Sequence, residues 1–241
     1  MANESVGNGE GVSMQIHGHR SGSILTLAER LSDCPVALRW GGNQVSGAIN
    51  GAASILDGLS QLVALKAAGV PVPEFTTNAA DATGGLWLAR KRDHSQGKDI
   101  IPVGTVIRRR RKWQDSDFFV RYISNVAREW RIHVVDGLSI ARATKVWAGS
   151  GTEPTTAPII RSRRLGYHMR HDIKSPKLVR ETAKAAVKAV GYDLGAVDLL
   201  ELTDGSVVVL EVNSRPAIRD EYTLAAYAAA LRAHHENRTT R

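Results

Sequence analysis

Residues 191–218, GYDLGAVDLLELTDGSVVVLEVNSRPAI, hold the pattern around which the rest of the chain is read. Two apolar runs, 196–202 and 207–212, flank Asp204-Gly205, a dipeptide that favours a two-residue type I′ turn, so the stretch predicts a β-hairpin. With Asp204 and Gly205 as the loop, Thr203 faces Ser206, and counting back along both strands sets Asp198 directly opposite Glu211. Asn213 shares their face, because side chains on a strand alternate with a period of two.

Directly opposed carboxylates destabilise a strand pair. Their neighbours Val197, Leu199, Val209, Leu210 and Val212 read as buried, and unpaired buried charge is costly. A divalent cation is the economical remedy. An Asp, Glu and Asn-amide set is all oxygen, which suits Mg²⁺ with phosphate oxygens completing its shell. The alternative is that one carboxylate is protonated or that both splay into solvent.

The pattern D-x(12)-E-x-N formed by Asp198, Glu211 and Asn213, closed by Ser214-Arg215-Pro216, resembles the metal-binding hairpin of the ATP-grasp carboxylate-amine ligases. It is especially similar to the branch that adds glutamate to peptides and proteins, and to small ATP-grasp proteins of phage type. The resemblance implies that these three residues hold two Mg²⁺ ions against the triphosphate of ATP. The spacing alone implies only a cation.

With 241 residues, 43% of them apolar, the chain is long enough for a real core in one domain or two small ones. No run of about 18 apolar residues is present to span a membrane. The N-terminus lacks the basic start and apolar segment of a secretory signal, and the single cysteine, Cys34, excludes an internal disulfide and a multi-cysteine metal site. A cytoplasmic location is expected. The formal net charge of +8 favours an anionic partner. Nine basic and two acidic residues fall within 90–112, and the same count recurs in 161–188. ATP would use only part of this charge, so nucleic acid is a further candidate partner, and a solvated basic face is the plainer explanation.

Residues 1–12 are rich in Gly, Asn and Glu and read as disordered. A strand at 14–17, a loop at 18–23 carrying His19, Arg20 and Ser21, a helix from Ile24, and a strand at 36–40 ending at Gly41-Gly42 follow. They resemble a shortened pre-ATP-grasp α/β region. An amphipathic helix at 55–68, stopped by Gly69, opens the core. The family often carries a phosphate-contacting lysine after the helix-start aspartate; position 58 here is glycine.

The strand 86–90 ends in Arg90, which matches a phosphate-binding lysine of the family, and Gln96, Gly97 and Lys98 match its flexible phosphate loop. The strand 118–123 sits where the family offers backbone groups to adenine, which assigns Arg121, Tyr122 and Ile123 to the nucleotide, with Glu129 or Asn125 placed for the ribose.

A second hairpin is predicted at 130–145 around Asp136-Gly137. A two-residue loop makes Val135 face Leu138 and sets Arg131 opposite Arg142, with His133 on the same face. Facing arginines ask for a shared anion as facing carboxylates ask for a cation. The alternative is two arginines splayed on a wet sheet face. Arg131 also matches the family's arginine at this hairpin.

Residues 149–164 read as a long loop, 177–190 as a helix with Pro176 at its start and Gly191 as its stop, and 220–233 as an Ala-rich helix before a polar tail.

These readings predict an α+β protein with the ATP-grasp fold, two α/β lobes enclosing the nucleotide. The expected divisions are a disordered 1–12, a curtailed pre-region at 13–54, lobes at 55–123 and 124–233, and a tail at 234–241. The resemblance implies ATP-dependent amide formation through an acylphosphate, with release of ADP and phosphate. Arg131, Arg142 and Arg215 stabilise the acylphosphate or oxyanion, and an amino acid, a peptide or an anionic polymer serves as acceptor. The competing reading is a nucleic-acid-binding module of ATP-grasp ancestry. The oligomeric state is left open.

Overall fold

The computed structural model describes residues 13–20, 22–92, 100–103, 115–148, 161 and 166–239. The chain forms two compact units, Met1–Ala53 with Ala217–Arg241, and Ser54–Pro216.

In the first unit, β1 (Gln15–Gly18) and β2 (Ala37–Trp40) pair in parallel around α1 (Gly22–Arg30). The C-terminal helix α4 (Glu221–Thr239) belongs to this unit, although the sequence reading placed it with residues 124–233. Its attachment is specific. Tyr227 meets Trp40 edge-on at 6.4 Å, both fully buried. Arg232 donates to both oxygens of Asp33 at 2.9 and 2.6 Å, and Arg30 pairs with Glu221 at 2.6 Å. Arg39 is structural: its buried guanidinium donates to the carbonyls of Gly42, Asn50 and Ala53.

The second unit contains two antiparallel sheets. The smaller has the order β3 (Phe75–Thr76), β6 (Phe118–Arg121), β4 (Trp87–Arg90), β5 (Ile101–Val103). Helix α2 (Gly58–Ala67) is N-capped by Asp57, whose Oδ1 accepts from the Ser60 N–H at 2.8 Å. Its Leu59 and Leu62 pack on Phe118 and Val120, which alternate on one face of β6. Trp87, Ala89 and Phe119 form the other face.

The larger sheet has the order β11 (Val207–Asn213), β10 (Leu194–Leu202), β7 (Val126–Val135), β8 (Leu138–Trp147), β9 (Tyr167–Arg170). Strand β9 was not foreseen from sequence. Helix α3 (Lys177–Ala189) buries Val179, Ala183, Ala186 and Val187 against this sheet, with Pro176 as its N-cap residue. Central β10 is buried from Leu194 to Leu200, which explains why it reads as a nearly continuous apolar run.

Both hairpins form, and each contains an irregularity that alternation alone does not show. In the β10–β11 hairpin Leu202 N–H donates to Ser206 O and Gly205 N–H donates to Leu202 O, so the loop has three residues, with Gly205 at φ +82°. The two-residue turn expected there is therefore corrected, and Glu201 faces Val207. A bulge between Asp198 and Leu199 then takes up the offset and restores Asp198 opposite Glu211.

In the β7–β8 hairpin the two-residue loop is present, with Asp136 and Gly137 both at positive φ (48° and 71°) as a type I′ turn requires. A bulge between His133 and Val134 shifts the register, so Arg131 faces Ala143 and Arg142 faces Ile132. The expected pair of opposed arginines does not form, because a one-residue slip sends each side chain on the slipped strand to the other face.

Strand β11 is an edge, and its outward N–H groups are taken up by the segment around α2. Val212 N–H donates to Gln61 Oε1 at 2.9 Å and Val209 N–H donates to Pro71 O at 2.8 Å. Replacing Gln61 with Leu removes the acceptor and leaves the half-buried edge unsatisfied. Chemical denaturation of Gln61→Leu is expected to show a loss of about 1–3 kcal/mol, and an unchanged midpoint would show that the edge is wet.

Candidate active site

One cross-strand row organises the face of the large sheet opposite α3. Glu211 on β11, Asp198 on β10 and Arg131 on β7 lie directly beside one another. Arg131 grips Asp198 with both arms, Nε to Oδ1 at 2.7 Å and Nη2 to Oδ2 at 2.6 Å. This bidentate geometry is the strongest that a guanidinium and a carboxylate form. The relief for Arg131 is thus an acid on the adjacent strand β10, on the side of β7 away from Arg142.

Around the row lie four more polar groups. Asn213 Nδ2 donates to Glu211 Oε1 at 3.0 Å. Arg90, at the end of β4 in the smaller sheet, brings Nη2 to 3.9 Å from Glu211 Oε2 and stacks 5.8 Å from the Phe118 ring centre. Glu129, two residues before Arg131 on the same face, is ion-paired with Lys145 of β8. Sequence reasoning missed Lys145, since only the bulge in β8 brings it onto this face.

The two central acids are driven apart in acidity. Burial pushes the Asp198 carboxyl up, but the charge and hydrogen bonds of Arg131 outweigh it and hold Asp198 below the usual carboxylate range. Glu211 is pushed up by burial and then by the negative charge of Asp198. Burial also raises Glu129, against the pull of Lys145. Arg131 is raised by the charge of Asp198, and Arg90 is lowered by burial, partly offset by Glu211.

The remaining predicted residues are placed as follows. Arg142 lies on the α3 face and donates Nε to Ile173 O at 3.0 Å, so it is not part of this row. Arg215 is exposed, two residues beyond Asn213. Arg121 lies on the opposite face of the small sheet from Arg90, pairing with Glu74 at 2.9 Å and lying over Trp87. The N–H groups of Arg121 and Tyr122 donate to Glu74 O and Leu86 O, so a donor to a ligand at this strand falls to Ile123. Gln96, Gly97 and Lys98 lie outside the described residues.

The donor set fits a hard cation. A carboxylate held ionised, a second pushed towards protonation by burial and by its neighbour, and an amide already oriented on the second form an all-oxygen cluster. Among the described residues no group of three or more His, Cys, Asp or Glu side chains gathers to hold a metal.

No family profile and no curated protein matches the chain. Solved structures do match it. D-alanine–D-alanine ligase from Bacillus anthracis superposes with a TM-score of 0.59 at 14% identity, over 94% of this chain and 97% of that one. The ATP-grasp ligase PsnB, complexed with minimal precursor, Mg and ADP, gives a TM-score of 0.56 at 18% identity, over 86% and 67%. In its complex with minimal precursor alone, PsnB gives 0.52, and this chain spans 60% of the PsnB length. The chain has the ATP-grasp fold. Both of these proteins are ligases, and the likeness to each is one of fold. Among the described residues no helix is long and apolar enough to cross a membrane.

Two predictions follow from the row. Arg131→Met strands a buried carboxylate and is expected to cost about 3–5 kcal/mol, most of it recovered in the double variant with Asp198→Leu; equal losses in single and double variants would refute the coupling. Because Glu211 is raised in the folded protein, its stabilising contribution is present below the unfolded value of about 4.3 and is lost as pH rises through the folded one. The melting temperature of Glu211→Gln should therefore gain on that of the parent as pH rises from about 4 to 8. Asp198 runs the other way, contributing at neutral pH and failing as acid is added.

Proposed function

We propose that this chain is an ATP-dependent carboxylate-amine ligase that makes an amide through an acylphosphate and releases ADP and phosphate. The observation that carries the reading is the single sheet face on which Asp198, Glu211 and Asn213 meet Arg131 and Arg90, since a magnesium triphosphate supplies charges of the signs this face can hold.

Asp198, Glu211 and Asn213 would hold Mg²⁺, two ions as the resemblance implies, whose charge offsets that gathering on the phosphate oxygens. Arg90 serves the phosphates from the opposite sheet, and the backbone at Ile123 serves adenine. The substrate carboxylate oxygen attacks the γ-phosphorus, the bond from phosphorus to the bridging oxygen breaks, and ADP leaves with that electron pair. The amine then attacks the acyl carbon, the carbon–oxygen bond breaks, phosphate departs and the nitrogen loses a proton. Arg131 and Arg215 offset the anionic charge of these states, and no side-chain nucleophile is needed. Arg142 is left out of the assignment because it lies on the other face. Glu129 is left out because it is spent on Lys145.

The test is ADP release from Mg-ATP with pooled amino acids, peptides or an anionic polymer as acceptors, comparing the parent with Glu211→Gln and Arg90→Ala. Acceptor-dependent ADP formation is expected, abolished by Glu211→Gln, with KM for ATP raised at least about tenfold in Arg90→Ala. No turnover with any acceptor, together with tight salt-sensitive nucleic-acid binding unchanged by Glu211→Gln, would replace the ligase by a binding module.

A further inference from the structure

We propose that Arg131 and the cation are alternative counter-charges for Asp198, so that the arginine keeps the face closed to a free divalent cation and admits one only together with a nucleotide. The inference rests on the cation reading of Asp198, Glu211 and Asn213 given above. It concerns the order in which the face fills, and thereby how an unloaded enzyme avoids holding metal alone.

The charge balance of the face is its basis. Three carboxylates, Asp198, Glu211 and Glu129, stand against three cations, Arg131, Arg90 and Lys145. Arg161 lies near enough to act on Glu129 as well. Among the described residues the face is thus already neutral or slightly positive.

A lone divalent cation placed against Asp198 would leave its charge uncompensated in a half-buried site, beside a guanidinium 2.6 Å from the same oxygen, and both burial and repulsion oppose that. A nucleoside diphosphate or triphosphate reverses the sign of the sum. It also gives Arg131 an anion to hold in exchange for the carboxylate, and guanidinium binds phosphate in the same forked geometry.

Position distinguishes the two carboxylates. Arg131 engages both oxygens of Asp198, whereas Arg90 stands 3.9 Å from Glu211, a charge contact without hydrogen-bond geometry. Asp198 is therefore the guarded ligand, and Arg131 is the residue that sets the threshold for cation entry.

The test is Mn²⁺ binding followed by the magnetic-resonance signal of the free ion, with and without ADP, at neutral pH. The proteins are the parent, Arg131→Met, Arg131→Lys and Glu211→Gln, each checked for folding by thermal denaturation. The parent should bind Mn²⁺ weakly alone and at least about tenfold more tightly with ADP. Arg131→Met should bind Mn²⁺ alone at least about tenfold more tightly than the parent and gain melting temperature with the ion. Arg131→Lys, which keeps the charge but loses the fork, should fall between them and serves if the methionine variant does not fold.

If neither arginine variant binds the free ion more tightly than the parent, while ADP still promotes Mn²⁺ binding that Glu211→Gln removes, the guarding role of Arg131 is overturned and the cation site stands. If the parent binds no Mn²⁺ even with ADP, the cation reading itself fails. Tight Mn²⁺ binding by the parent without nucleotide would also overturn the inference.

Discussion

The forked ion pair between Arg131 and Asp198 is the contact on which this face of the molecule depends. It spans two adjacent strands, β7 and β10, at directly opposed positions, and both partners lie largely out of water. Without the guanidinium an ionised acid would sit in the middle of a buried strand; without the acid, an arginine would. Each alone is costly, and together they approach neutrality. Because the pair keeps Asp198 ionised, the burden of repulsion falls on Glu211 at the next position of the row, which burial and the neighbouring charge push towards its protonated form. Two carboxylates of the same row thus acquire opposite tendencies, Asp198 held down against burial by Arg131 and Glu211 raised by burial and by Asp198.

The row is useful only if β11 stays in register at the edge of the sheet. Gln61 and Pro71 accept from its outward N–H groups, so the helix that packs on the small sheet also pins the strand that carries Glu211 and Asn213. The same small sheet brings Arg90 to Glu211. The large sheet is therefore tied to the α2 segment by these two hydrogen bonds and to the small sheet by a charge contact at the candidate site.

Bulges decide which side chains share this face. In the β10–β11 hairpin a bulge and a three-residue loop cancel, and the acids oppose one another as a simple count predicts. In the β7–β8 hairpin the loop is the expected one and the bulge acts alone, so Arg142 turns to the α3 side, while Lys145 joins Glu129 beside Arg131. Both outcomes follow from the period of two along a strand, which makes one inserted residue enough to exchange faces.

Much of the site was legible in the sequence because it is local. An Asp-Gly turn between alternating apolar residues, with Asp198, Glu211 and Asn213 at matching distances, needs only the geometry of one hairpin to bring the three together. The ATP-grasp fold was legible through the resemblance of that hairpin to the family's metal-binding hairpin. What the sequence could not contain was pairing between segments far apart in the chain. Arg131 meets Asp198 across 67 positions, and Tyr227 meets Trp40 from the opposite end of the chain, which draws α4 into the first unit. Those contacts are selected by sheet order and core packing, where many residues compete for the same neighbours, and only the folded chain decides among them.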